Sequence, residues 1–376
     1  MENRVLANTS DVLPNSAVSG RQVISIAGGK GGVGKTVITA AMGIALAKSG
    51  KKTVVFDGDF GGANLHQAFG IINPPITIRD FICQNIDDIN DILLETSIPG
   101  LYLIAGSAGT LGVANLKFYV KRKILSHVRR VDAEYILLDL GADNSFNQLD
   151  FFNSADLKII VVTPEPLAIQ DGYNFLKLSL YRHLCRLFYD NKCVLEIFKI
   201  YFLPEGAGIS FSIQSLIQKI SALGDVIYHR WKKAIEEYRP SLIVNMIENQ
   251  QDYRECLALQ IAAREILNIR FDSFDYVQYD DTIRRAIKMM RPDLLMTNDG
   301  LASSDLRRSV EQMILTPVKD QNILKEPRLG HLDRGYPLYP FDEVICSVKC
   351  ALWGKCSVQN GGYPCRIKAV GYVNQK

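Results

Sequence analysis

The residues best suited to chemistry lie near the N-terminus, in Gly29-Lys30-Gly31-Gly32-Val33-Gly34-Lys35-Thr36. They fit the phosphate-loop pattern G-x4-G-K-[ST], whose glycines let backbone N–H groups turn inward around phosphate oxygens. The context fits as well. A strand-like run at 23–27 precedes the loop and an apolar helical stretch at 36–48 follows, so the positive end of a helix dipole faces the anion. Gly29, Gly31, Gly32, Val33 and Gly34 are expected to cradle the phosphates. Lys35 is expected to reach the β- and γ-phosphates, and Thr36 to hold Mg²⁺. A chance glycine turn would need none of these flanking features.

Two acidic sites complete this chemistry. Asp57 and Asp59 end the run Val54-Val55-Phe56-Asp57-Gly58-Asp59, and Asp139 ends Tyr135-Ile136-Leu137-Leu138. Carboxylates at the C-terminal ends of parallel strands stand where α/β sheets bind ligands. Asp139 suits a Mg²⁺ ligand acting through water, and one of the earlier pair suits the orientation of an attacking water. Alone, each aspartate would be an ordinary turn cap. A phosphate loop upstream weakens that reading.

Eight cysteines are present. Cys83, Cys185, Cys193 and Cys256 are scattered in mostly apolar surroundings and read as reduced, buried thiols. Cys346, Cys350, Cys356 and Cys365 form a cluster. Four thiolates offer a tetrahedral zinc site or an Fe–S cluster, and the spacing does not choose between them or free, redox-sensitive thiols. Trp353 and Gly361-Gly362 would allow a compact knuckle, and so small a segment folds poorly without a metal or cross-link.

The elements that position these residues are legible from apolar patterning. The chain has 376 residues, 47% of them hydrophobic, enough for a sizeable core. Near-continuous Val/Ile/Leu runs predict strands at 22–27, 53–57, 101–104, 135–139, 158–163, 242–246 and 273–277, as expected for strands buried on both faces. Helical stretches at 36–48, 114–130 and 169–188 alternate with them, which predicts an α/β fold with a mostly parallel sheet. Residues 178–238 break the rhythm with apolar residues at helical spacing around a loop at 204–208. They read as a helical insertion, either extra core or a partner-binding surface. A short helix is predicted at 304–315, followed by a linker to 340. The formal net charge of +3 gives a nucleic-acid role no support. No apolar run nears the ~20 residues of a membrane helix, and the polar leader at 1–20 lacks a signal core, so a cytoplasmic protein is expected.

Lys30 departs from an ordinary phosphate loop. With Gly28-Gly29-Lys30-Gly31-Gly32-Val33-Gly34-Lys35-Thr36, the sequence resembles the deviant Walker A motif of the MinD/ParA family. The resemblance continues at Asp57-Gly58-Asp59-Phe60-Gly61-Gly62-Ala63-Asn64-Leu65. Asp139-Leu140-Gly141-Ala142, Leu149-Asp150-Phe151-Phe152 and Val161-Val162-Thr163-Pro164-Glu165-Pro166 are similar to the FlhG (FleN/YlxH) branch. Leu242-Ile243-Val244-Asn245-Met246 and Val277-Gln278-Tyr279-Asp280-Asp281 resemble the last core segments. The match covers 21–300 apart from the insertion.

The resemblance implies a P-loop ATPase that binds ATP and Mg²⁺ and forms a homodimer when loaded. By this match Lys30 reaches the partner copy's phosphates, Asp59 positions the hydrolytic water, Asp57 and Asn64 support the active dimer, and Asn245 contacts adenine. The expected layout is a leader at 1–20, the ATPase domain at 21–300, a helix and linker at 301–340 and a four-cysteine tail at 341–376. A spatial regulator of a polar or surface structure such as the flagellum is implied, with a protein partner on the insertion and peripheral contact with the inner face of the membrane. The other reading is a metal- or Fe–S-linked ATPase resembling the Mrp-like relatives, although their C-x-x-C is absent. Other departures are Gln278 in place of a usual proline near the base, the lack of a D-Q-A-x-x-L-R leader, and no evident C-terminal membrane helix.

Overall fold

The computed structural model describes residues 20–83, 86–107, 116, 118–203, 212–297 and 300–317. Its strands are β1 (Gln22–Ala27), β2 (Thr53–Gly58), β3 (Leu94–Glu95), β4 (Leu101–Ile104), β5 (Tyr135–Leu140), β6 (Leu157–Val162), β7 (Ser241–Ile247) and β8 (Phe274–Gln278). They form one sheet in the order β3-β4-β2-β5-β1-β6-β7-β8. Every pairing is parallel except β3 with β4. The predicted strands are present to within a residue or so at each end. The edge strand β3 was not anticipated, because two residues are too few to show a period.

The helices are α1 (Lys35–Lys48), α2 (Leu65–Ala68), α3 (Ile78–Cys83), α4 (Phe118–Val128), α5 (Phe146–Ser154), α6 (Pro166–Leu187), α7 (Lys192–Phe202), α8 (Ile213–Ser221), α9 (Asp225–Glu237), α10 (Gln250–Leu267), α11 (Asp281–Lys288) and α12 (Leu301–Val310). Side chains alternate across the sheet. Val54, Phe56, Ile136, Leu138, Ile160 and Val162 join a core on one face, and Ile24, Ile26, Val55, Leu137 and Ile159 join a core on the other. Helices α1, α11 and α12 contribute Ile38, Ala286 and Leu306 to the second core. Small residues let α1 lie close to the sheet. A side chain at Gly43 would put its Cβ 2.7 Å from Val55 Cγ1.

The insertion extends the first core. Phe198 and Phe202 of α7, Leu216 and Ile220 of α8, and Trp231 and Ile235 of α9 are buried with the sheet residues. Extra core is therefore its structural role, while residues 204–211 lie outside the described set. The helix predicted at 304–315 starts at Leu301, and its last turn, Glu311–Leu315, is wound as a π-helix. It packs on α1 and β8 and so belongs to the body of the fold. Two thiols depart from expectation. Cys185 and Cys256 are buried, but Cys83 and Cys193 are exposed, because each falls on the outer face of a short amphipathic helix.

Asp150 of α5 ties three elements together. Arg182 of α6 grips it through Nε and Nη2 at 2.8 and 3.0 Å, Arg186 lies at 3.4 Å, and Lys121 of α4 pairs with Oδ2. One buried carboxylate thus compensates three largely buried cations. Asp150→Ala should destabilise the fold by about 3–5 kcal/mol, since it strands those charges. A urea midpoint equal to that of the wild type would refute this account.

Candidate nucleotide site

The phosphate loop leaves β1 and enters α1 with the geometry its glycines permit. Gly34 caps the helix at φ +93° and makes no side-chain cap, which leaves the first N–H groups of α1 for a ligand. A Cβ at Gly29 would sit 2.0 Å from the carbonyl of Asp171, so the loop is wedged against α6. Lys35 is buried, and its Nζ donates to the carbonyl of Lys30 at 3.1 Å. Burial lowers its pKa, while Asp139, Asp59 and Asp143 pull the other way. The Lys30 ammonium makes no ion pair among the described residues, and the exposed Gly31 and Gly32 follow it at the outer turn.

Strand pairing brings the acidic residues to the loop. Asp57 of β2 lies abreast of Asp139 of β5, and Asp139 is level with Ile26 of β1. Asp57 accepts from the N–H groups of Asp59 and Leu65 at 3.2 and 3.0 Å. Burial and then the neighbouring Asp139 push its pKa up to about 8. Asp139 accepts from Thr39 Oγ1 at 3.3 Å, and burial pushes its pKa up to about 7 against the pull of Thr36, Lys35 and Thr39. Two buried carboxylates beside a threonine hydroxyl form a hard-oxygen set. It fits Mg²⁺, which takes one or two carboxylates and completes its shell with water and phosphate oxygens. Among the described residues no group of three or more His, Cys, Asp or Glu is arranged to hold a metal by itself.

Asp59 is aimed by its own turn. Its Oδ1 accepts from the N–H groups of Gly61 and Gly62 at 3.1 and 2.8 Å, leaving Oδ2 free among the described residues. Asn64 accepts from Thr36 Oγ1 at 3.4 Å, so the segment after β2 touches the phosphate loop. Asn245 is buried with Nδ2 on the carbonyl of Val33 at 2.9 Å. Two participants escaped sequence reasoning. Gln148 donates to the carbonyl of Gly58 at 3.0 Å and accepts from Gly141 N at 3.1 Å, stitching the end of β2 to the loop after β5. Thr39 lies one turn into α1, beneath Asp139. The only signal for Gln148 is a polar residue on an otherwise apolar helix face, and many surface glutamines share it. Cys346, Cys350, Cys356 and Cys365 lie outside the described residues.

Comparison with known proteins agrees with this geometry. The model of the CobQ/CobB/MinD/ParA nucleotide binding domain matches residues 24–292. The chain is 35% identical over 163 residues to the flagellum site-determining protein YlxH of Helicobacter pylori, covering 42% of this chain and 53% of that one. It is 29% identical over 159 residues to the antiactivator FleN of Pseudomonas aeruginosa, covering 42% and 58%. The chain therefore spans about half the length of these curated relatives. The septum site-determining protein MinD of Pyrococcus horikoshii, solved with Mg-ADP, superposes with a TM-score of 0.52 at 18% identity, covering 80% of this chain and 99% of that one. That likeness speaks for the fold alone. The motifs, the convergence of Lys35, Asp57, Asp59 and Asp139, and the family match over most of the chain agree: this protein belongs to the MinD/ParA nucleotide-binding family.

Proposed function

We propose that the protein is an ATP-driven dimerisation switch that hydrolyses ATP and regulates the placement or number of a polar or surface structure such as the flagellum. One observation carries the reading: two lysines share one phosphate loop but have different surroundings. Lys35 is buried and faces Asp139, Asp59 and Asp143. Lys30 stands at the rim with no ion pair among the described residues. Lys35 and the loop N–H groups bind the triphosphate. Thr36, Asp57 and Asp139 hold Mg²⁺, which supplies charge neutralisation at the phosphates. Asp59 orients the attacking water through Oδ2, and Lys30 engages the phosphates of a second copy.

The relatives' printed roles in flagellum and septum placement support the choice of process. A solved MinC:MinD complex supports the expectation of a protein partner. The insertion exposes Ile200, Leu203 and Val226, which suits it to receive that partner. No described helix is long and apolar enough to cross a membrane, so membrane contact in this reading is peripheral.

Light scattering tests the switch. With ATP and Mg²⁺ the mass should double, and it should return to the monomer value with ADP or once ATP is consumed. A mass that ignores the nucleotide would remove the reading.

A further inference from the structure

The C-terminal edge of β8 carries an arrangement that the phosphate chemistry does not use. Gln278 donates twice to one oxygen of Asp305 in α12, through its backbone N–H at 2.9 Å and its side-chain Nε2 at 3.1 Å. Asp305 is buried and is itself held. Its other oxygen takes Arg308 Nη1 at 2.6 Å, while Arg308 also grips Asp275 at 2.7 Å and stacks over Tyr276 with its guanidinium 4.3 Å from the ring centre. A carboxylate paired with a guanidinium only accepts hydrogen bonds, so the amide end facing it must be the NH₂. The orientation of Gln278 is thereby fixed. Its Oε1 is left as an acceptor with no partner among the described residues.

The sheet indicates what passes this point. The carboxylates at the metal end, Asp57 and Asp139, stand on β2 and β5, to one side of β1. Strands β6, β7 and β8 lie to the other side. A triphosphate with its terminal phosphate toward those carboxylates must carry its nucleoside across β6 to β8. At the usual strand spacing β8 is about 14 Å from β1, within a purine nucleotide's span. Asn245 of β7 already touches the phosphate loop at Val33. Gln278 pairs with Ile247 of the same strand, and Tyr279 N binds the carbonyl of Ile247 at 2.9 Å, which holds Gln278 at this rim.

We propose that Gln278, oriented by Asp305 of the C-terminal helix, is a specificity-determining residue whose Oε1 accepts a hydrogen bond from the exocyclic 6-amino group of adenine. The proposal rests on the nucleotide-binding reading above. A fixed acceptor rewards an amino group at that position. It meets a 6-oxo purine oxygen as acceptor against acceptor, which leaves both unpaired. Asp305 is a positioning residue and acts only through the amide it orients. Through it α12 becomes part of the base pocket.

Calorimetric titration of the full chain with ATP, purine riboside triphosphate and inosine triphosphate tests the assignment. The wild type should bind ATP about tenfold more tightly than the purine riboside analogue, the worth of about one hydrogen bond, and bind inosine triphosphate more weakly still. Gln278→Leu should bring ATP down to the level of the purine riboside analogue and leave that analogue unchanged. Asp305→Ala removes the acceptor that fixes the amide and lets it turn over, while Arg308 keeps Asp275 as its partner. The ratio of ATP to inosine triphosphate affinity should then fall toward one, read below the variant's own thermal midpoint, which loss of the buried Asp305–Arg308 pair lowers. A purely structural role would weaken all three ligands together. An unchanged ratio in Gln278→Leu, or a wild type that does not discriminate, overturns the assignment while leaving the switch intact. A wild type that binds no ATP overturns the switch and this assignment with it.

Discussion

Lys35→Ala should abolish measurable ATP binding while leaving the fold intact. The ammonium is the principal cation at the head of α1, and it stands among Asp139, Asp59 and Asp143. Its removal has two consequences of the same sign. The charge-assisted hydrogen bonds to the phosphates are lost, each worth about 1.5–3 kcal/mol. The triphosphate must then also approach those carboxylates without the charge that offsets them, in a setting where burial already opposes the ionised forms of Asp57 and Asp139. Two such hydrogen bonds alone correspond to a loss of at least about a hundredfold. The fold should survive, because the lysine is itself opposed by burial and alanine is tolerated at the first position of α1. Titration with a fluorescent ATP analogue, with circular dichroism as the control for folding, reads both. A well-folded variant that bound ATP normally would show that the phosphates are held elsewhere.

What is legible in the sequence follows from which forces act locally. The strands that carry Asp57 and Asp139 could be read directly, because burial on both faces writes itself as an unbroken apolar run. The phosphate loop could be read because its backbone path admits few residues other than glycine. The pairing of β2 with β5 is a long-range choice. It sets the two aspartates abreast, and no local pattern announces it. Gln148 is invisible for the same reason, since its partners are Gly58 at the end of β2 and Gly141 just after β5. Asp305 lies in a segment that reads as a short helix beyond the alternating core. Only the packing of α12 on α1 and β8 brings it to Gln278. The departure at Gln278 is informative in this light. A proline there would have no N–H to satisfy, whereas glutamine brings a backbone donor and an amide, and the fold meets both with one buried carboxylate.

Lys30→Ala should leave ATP affinity within about threefold of the wild type, a difference of about 0.7 kcal/mol, yet remove ATP-dependent dimerisation. The substitution separates two roles of this residue. Its backbone carbonyl accepts from Lys35 Nζ at 3.1 Å, and alanine keeps that carbonyl in place. Only the ammonium is lost, and it makes no ion pair among the described residues, so the loop has little to miss. In a dimer closed over two triphosphates the same ammonium would meet the partner copy's phosphates in a site shielded from water. A charge-assisted contact there is worth about 1.5–3 kcal/mol, and twofold symmetry counts it twice. The dimer's dissociation constant should therefore rise by at least about a hundredfold. Because a solvent-accessible share of the attraction is screened by ions, the wild-type dimer should also weaken with added salt, more steeply than any residual dimer of the variant. Light scattering with ATP and Mg²⁺ across a range of protein concentrations reads the outcome. A variant that still doubled its mass at the wild-type concentration would take Lys30 out of the interface and leave the protein an ATP-binding member of its family without the cross-dimer contact.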